Sequence, residues 1–289
     1  MRLPDGTEVR ERRIELPGIT LNLVEAGPID GPPVLLLHGF PEFWWGWRHQ
    51  IGPFARAGYR VVVPDGRGYN LSDKPGGLSA YRLDRLVEDV VALADRLSIG
   101  RFRLVGHDWG GIVAFAVAAR HPGRVERLAI LNAPHPAVAG RVLRADPAQL
   151  GRSWYIAFFQ LPRLPERLLA KDDYAWLKRA LFGSGRRNTF SAEDLARYAE
   201  AWSQPDALTA MLAWYRALLR RPAARVGRIA APTLILWGRR DSALGPAVAT
   251  ESFAMCDDGR ITWFDDATHW VQHEKAAEVS AALVRFLGS

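Results

Sequence analysis

Cysteine is almost absent from this chain: its 289 residues include one, Cys256. A single thiol cannot close an internal disulfide, so the stapled scaffolds of small secreted domains are excluded, and a reducing cytoplasm is the expected setting. Long apolar runs are missing too. The longest, such as Pro33 to Leu37 and Ile112 to Ala119, fall far short of the roughly 18 residues that span a bilayer, so no membrane anchoring is expected. Residues 1 to 15 mix charged and apolar side chains with no apolar stretch of the kind a secretory signal carries. There is no internal repeat and no low-complexity tract. What remains, 48% hydrophobic and 24% charged residues, is the composition of a globular chain with a large core, which excludes disorder and collagen-like structure.

Charge is uneven along the chain. Lys plus Arg is 38 and Asp plus Glu 31, yet residues 137 to 225 hold 15 basic and 8 acidic side chains, leaving 23 against 23 elsewhere. That one segment therefore carries the whole excess of +7. A basic excess suits nucleic acid, an acidic membrane or an anionic ligand. Here the basic residues are dispersed and no nucleic-acid motif accompanies them, so a solvated Arg-rich surface is the simpler reading and no nucleic-acid partner is expected.

Short apolar runs of strand length recur at Val34 to Leu37, Arg60 to Val63, Arg103 to Val105, Leu128 to Leu131, Thr233 to Trp237 and Ile261 to Phe264. Helical patterns separate most of them. Leu83, Leu86, Val87, Val90, Val91, Ala94 and Leu97 recur at helical spacing, and Ile112 to Arg120 stops before Pro122. Such alternation predicts an α/β fold, a mostly parallel sheet flanked by helices. Between residues 137 and 225 the strand-like runs vanish, and Asp206 to Arg221 reads as a helix with Leu208, Met211, Leu212, Tyr215, Leu218 and Leu219 in one stripe. The segment is expected to be a helical insertion, with residues 1–136 and 226–289 forming one core.

The strongest local signal is Gly106-His107-Asp108-Trp109-Gly110-Gly111, set between a strand ending at Val105 and a helix starting near Ile112. It reads as a nucleophile elbow with Asp where Ser usually stands, the glycines letting the chain turn so sharply that Asp108 projects above the sheet. The bland alternative is a glycine-rich turn with a capping Asp. His38-Gly39-Phe40-Pro41-Glu42 follows the first hydrophobic strand, where an oxyanion loop would lie, with the Phe40 and Trp109 amides converging on one oxygen. Asp241, four residues beyond Trp237, and His269, just after the last strand, complete the order nucleophile, acid, base. Residues at the C-terminal ends of parallel strands share one sheet edge, so sequence distance is no obstacle. Asn132 ends another strand at that edge, where an acid could also stand, but carries no charge. His269 and His273 have the i, i+4 spacing of a zinc helix, yet Trp270 stands where the Glu would, and His273 is expected on a helix surface.

These motifs together resemble those of the epoxide hydrolases of the α/β-hydrolase superfamily, over nearly the whole length. His38 to Pro41 matches that family's HGxP segment, Asp65-Gly66-Arg67-Gly68-Tyr69 its D-x-RGY segment, and Gly106 to Gly111 its GHDWGG elbow. The resemblance implies the α/β-hydrolase fold with residues 137–225 as a helical cap. It also implies Asp241 and His269 as acid and base, and Tyr155 and Tyr215, within Y-x-x-x-F-Q and WYR segments, as the pair binding the epoxide oxygen. His38, Pro41 and Trp109 are expected to contact substrate. The implied partners are a small epoxide and water, with room for a homodimer.

The residue types suit that chemistry independently. A carboxylate is already anionic at neutral pH, so Asp108 can attack a saturated carbon without a base, whereas Ser could not. An opening epoxide releases an alkoxide, which a neutral phenol can protonate. His269, supported by Asp241, would then activate the water that hydrolyses the ester, and no metal or organic cofactor is required. A haloalkane or haloacid dehalogenase would use the same Asp and Asp-His pair, but Phe40 offers no side-chain N–H to a departing halide. A catalytically silent ligand sensor on the same fold is the third alternative, and it would be marked by a missing catalytic residue. None is missing. An ordinary serine esterase is disfavoured by Asp108.

Overall fold

The computed structural model of the chain describes residues 1–186, 189–220 and 225–288. Eight strands build one sheet: β1 (Arg10–Leu16), β2 (Ile19–Ala26), β3 (Pro33–Leu37), β4 (Arg60–Pro64), β5 (Phe102–His107), β6 (Val125–Leu131), β7 (Thr233–Gly238) and β8 (Gly259–Phe264). Their order is β1-β2-β4-β3-β5-β6-β7-β8. From β4 to β8 every pairing is parallel, with Leu36 beside Val105 and Val105 beside Ala129, while β1 and β2 are antiparallel. The runs PVLLL, RVVVP and TLILWG are near-continuous apolar sequence because helices cover both faces of the sheet.

The two antiparallel strands are an addition to what the sequence pattern predicts. The mixed charged and apolar residues near the N-terminus form an edge strand, in which Ile14 and Leu16 point inward and their neighbours outward. Pro17-Gly18, with Gly18 at φ 79°, turns the chain back into β2. The remaining strands lie where the apolar runs place them, each extended by one to three residues.

Helices α1 (Arg48–Arg56), α2 (Leu83–Arg96) and α3 (Trp109–Arg120) connect the first half of the parallel sheet. Between β6 and β7 come α4 (Pro136–Ala145), α5 (Pro147–Arg152), α6 (Trp154–Phe158), α7 (Leu164–Ser184), α8 (Ala192–Ser203) and α9 (Ala207–Arg220), with no strand among the described residues. The helix expected over Asp206 to Arg221 is α9; Arg221 lies outside the described residues. α10 (Pro246–Phe253), α11 (Val271–Glu274) and α12 (Ala276–Gly288) complete the chain. No helix among the described residues is long and apolar enough to cross a membrane.

Aromatic donors tie the helical segment to loops of the sheet. The indole of Trp202 donates to the Pro41 carbonyl at 2.6 Å, that of Trp214 to the Arg67 carbonyl at 2.9 Å, and the Tyr198 hydroxyl to Glu42 at 2.6 Å. Tyr198, Trp202 and Trp214 are all buried, so each bond forms away from water and fixes direction as well as contact.

Candidate active site

β5 ends at His107 and α3 starts at Trp109, leaving one residue for the reversal. Asp108 takes φ 50°, ψ −121°, a conformation that costs a non-glycine residue of order 1–3 kcal/mol and lifts its side chain off the sheet edge. Close approach on either side requires glycine. A Cβ on Gly110 would lie 2.1 Å from the Leu37 carbonyl oxygen, and one on Gly39 would lie 2.4 Å from Cβ of Asp108.

The Asp108 carboxylate is held from two sides. Oδ1 accepts a hydrogen bond from the Phe40 amide at 2.8 Å, and Oδ2 lies 3.6 Å from Nε2 of His269. Trp109 opens α3, so its amide is among the four helix N–H groups without an intrahelical acceptor. On the far side of the imidazole, Nδ1 of His269 is 2.7 Å from Oδ2 of Asp241. Asp241 is buried, and its other oxygen accepts from the Ala243 and Leu244 amides at 2.7 and 2.9 Å. Burial opposes its ionisation, but the His269 charge and these donors outweigh it and hold the carboxyl below the usual range. For His269 burial opposes charging, and the Asp241 and Asp108 carboxylates overcome it, raising the imidazole well above its ordinary value.

Across from Asp108 stand two phenols. Tyr155 in α6 and Tyr215 in α9 have rings 5.9 Å apart and share the lining of a cavity of about 610 Å³ with Asp108 and His269. Burial and the nearby Asp108 charge push both hydroxyls far above the ordinary phenol value, so both are protonated at any physiological pH. The rest of the lining is mainly apolar, including Pro41, Phe159, Trp176 and Leu177. The ring of Trp109 packs edge-to-face against that of Tyr215, with centroids 5.1 Å apart.

The structure thus brings Asp108, Asp241, His269, Tyr155, Tyr215, Phe40, Pro41 and Trp109 together, and it places His38 elsewhere. His38 is buried beside the loop it begins, with Nδ1 3.0 Å from the Gly39 carbonyl and Nε2 accepting from the Gly66 amide at 2.8 Å. Burial lowers it to about 4, so it is a neutral brace between two loops rather than a group facing the cavity. The expectation for His273 also fails. Rather than facing solvent, it is buried with Nε2 2.7 Å from Glu42 and Nδ1 3.1 Å from Arg48, because the Glu42 carboxylate needs donors on the inner side of α11.

In the sequence Glu42 is only the last residue of the His38 to Glu42 segment, with no pattern that marks it as functional. It is buried, with Tyr198, Gln272 and His273 within hydrogen-bonding distance and His107 at 3.3 Å. His107 in turn reaches the main-chain carbonyl of His269 at 2.9 Å. Asn132 likewise enters the site, donating to Oδ2 of Asp241 at 2.7 Å. No local pattern links such residues in sequence, since their partners lie 65 to 231 positions away.

Comparison with known proteins shows the family of the chain. The profile of the alpha/beta hydrolase fold family matches residues 32–276. The AB hydrolase superfamily protein YfhM of Bacillus subtilis is 46% identical over 93% of this chain and 95% of its own. Epoxide hydrolase 2 of Caenorhabditis elegans is 38% identical over 95% of this chain and 79% of its own. Among solved structures, a Bacillus megaterium epoxide hydrolase bound to an inhibitor superposes with a TM-score of 0.89 at 31% identity, covering 96% of this chain and 100% of that one. The chain belongs to the α/β-hydrolase fold family and, within it, to the epoxide hydrolases.

Proposed function

We propose that this protein hydrolyses epoxides to vicinal diols through an ester on Asp108. The observation that carries this reading is the carboxylate at the elbow, 3.6 Å from a His-Asp pair and sharing one cavity with two protonated phenols. Asp108 attacks one epoxide carbon and the C–O bond breaks. Tyr155 and Tyr215 hydrogen-bond the departing oxygen and supply its proton, which a neutral phenol can do while a solvated alkoxide would otherwise form. Residues 137–225 act as the cap that carries both phenols.

Ester formation removes the negative charge of Asp108. One of the two charges that raise His269 then disappears, so its affinity for a proton falls; its proton goes to neutralise the phenolate left by epoxide opening, and Nε2 becomes available to deprotonate water. The water attacks the ester carbonyl, and the Phe40 and Trp109 amides take the charge that develops on its oxygen. Collapse of this intermediate breaks the bond to the diol oxygen, which takes the proton from His269, and the carboxylic acid left on Asp108 returns its proton to the imidazole, restoring both residues. Halide departure is less well served, because Phe40 has no side-chain N–H to offer the leaving ion.

The test is His269→Gln, which leaves the nucleophile and phenols in place. Mixed with styrene oxide and quenched rapidly, it should show a substrate-sized mass increase on Asp108 that persists, with little diol. Consumption of epoxide by this variant without an adduct would overturn the covalent scheme.

A further inference from the structure

We infer that Asn132 is a positioning residue for the water-activating pair, holding the Asp241 carboxylate so that His269 faces the ester. The inference rests on the covalent reading above and concerns its second half-reaction only.

Asn132 sits at the end of β6 with φ 39°, and its main-chain N–H donates to the Leu236 carbonyl of β7 at 3.2 Å. Its side chain then spans the gap between the two strand ends. Oδ1 accepts from the Gly238 amide at 2.9 Å, while Nδ2 donates to Oδ2 of Asp241 at 2.7 Å and lies 3.4 Å from the Gly238 carbonyl. Because an amide N–H can only donate, Gly238 fixes which end of the Asn132 amide faces it, and the NH₂ is left pointing at Asp241. The group is fully buried, so no water competes for these bonds.

The oxygen that Asn132 reaches is the one that His269 uses. Oδ2 of Asp241 takes Nδ1 of His269 and Nδ2 of Asn132, both at 2.7 Å, while Oδ1 is occupied by two main-chain amides. Two consequences follow. The carboxylate is held by donors at both oxygens and cannot turn about its own bond without breaking one. The Asn132 donor also draws electron density from Oδ2, which keeps the shared proton on the imidazole and moderates how strongly Asp241 raises His269. Removing that donor should misalign His269 and raise its proton affinity further, making it a poorer base at neutral pH. Formation of the ester needs no base and should be indifferent.

Two variants separate this role from simple packing. In rapid-quench reactions with styrene oxide, Asn132→Leu should form the Asp108 ester within about twofold of the parent rate. It should clear the ester about 10- to 100-fold more slowly at pH 7, the range set by one hydrogen bond to a charged group, and recover part of the loss as pH rises. Asn132→Asp keeps the acceptor for the Gly238 amide but donates to Asp241 only when protonated. Two carboxyls at this separation share a proton, so its ester hydrolysis should approach the parent at pH 5.5–6 and fall away toward pH 8–9. If Asn132→Leu does not fold, the inverted pH profile of Asn132→Asp decides alone. Parent-like clearing of the ester by both variants, with the parent pH profile, would overturn the role of Asn132 and leave the covalent scheme standing, as would equal slowing of both half-reactions. Absence of any ester in the parent and in His269→Gln would overturn the covalent scheme and the inference together.

Discussion

Removing the phenol hydroxyls one at a time separates chemistry from packing, because the two tyrosines are held differently. General-acid assistance is typically worth 10²–10⁴ in rate. With one hydroxyl deleted the other remains over the same cavity, so Tyr155→Phe and Tyr215→Phe should each slow ester formation by about 10- to 1,000-fold, while the double variant retains almost none. Tyr215 is buried with its ring against Phe40, Trp109 and Phe159, whereas Tyr155 is half-buried in α6. Phe keeps each ring in place, so both variants should hold a Tm close to the parent's, and a loss of rate then reports the hydroxyl alone. The assay is stopped-flow fluorescence, reading ester formation in the first transient and hydrolysis in the second. Hydrolysis, which depends on His269 and Asp241, should change little. A double variant that alkylates at the parent rate would show that the tyrosines only line the cavity.

Stability should fall in acid for a reason visible in the burial of three histidines. His38, His49 and His135 are each lowered to about 4, chiefly by burial, so between that value and roughly 6.5 the unfolded chain binds protons that the folded chain does not. Unfolding free energy should therefore decrease as pH drops through that window, with a slope of up to three protons, measurable by urea denaturation at a series of pH values; a flat profile would contradict it. Gly39→Ala should abolish ester formation and lower Tm by several degrees in a thermal melt, since its Cβ meets the nucleophile's own Cβ at 2.4 Å.

What the sequence disclosed about this molecule follows the range of the forces involved. β3, β4, β5, β6 and β7 are buried on both faces and announce themselves as apolar runs, and the elbow is legible because its glycines cluster within six residues between a strand and a helix, although the contacts that demand Gly110 and Gly111 come from Leu37 and Ala133. β1 escaped because an edge strand buries only alternate residues, and two inward side chains, Ile14 and Leu16, are too few to declare a period. His38 and His273 were misplaced for a different reason. A histidine's motif gives its neighbours in sequence, but its role is decided by which ring nitrogen meets which distant partner, here Gly66, Glu42 and Arg48. The tryptophans illustrate the same limit. Trp44, Trp45 and Trp47 are buried in the core, while Trp154, Trp176 and Trp270 line the cavity.

The buried carboxylate of Glu42 sets a rule for anyone building chimeras from this enzyme. Its oxygens face Tyr198 of α8, Gln272 and His273 of α11, and His107 beside the elbow, so three separate stretches of chain contribute partners to one enclosed charge. A helical segment transplanted from a relative would carry its own residue at the Tyr198 position into contact with the recipient's Glu42. If that residue cannot donate, an ionised group shut away from water loses a partner, a defect that commonly costs several kcal/mol. The exchangeable unit is thus not residues 137–225 alone. It is that segment together with the residue at position 42, and a graft that respects this pairing should fold where a cut made purely at the strand boundaries does not.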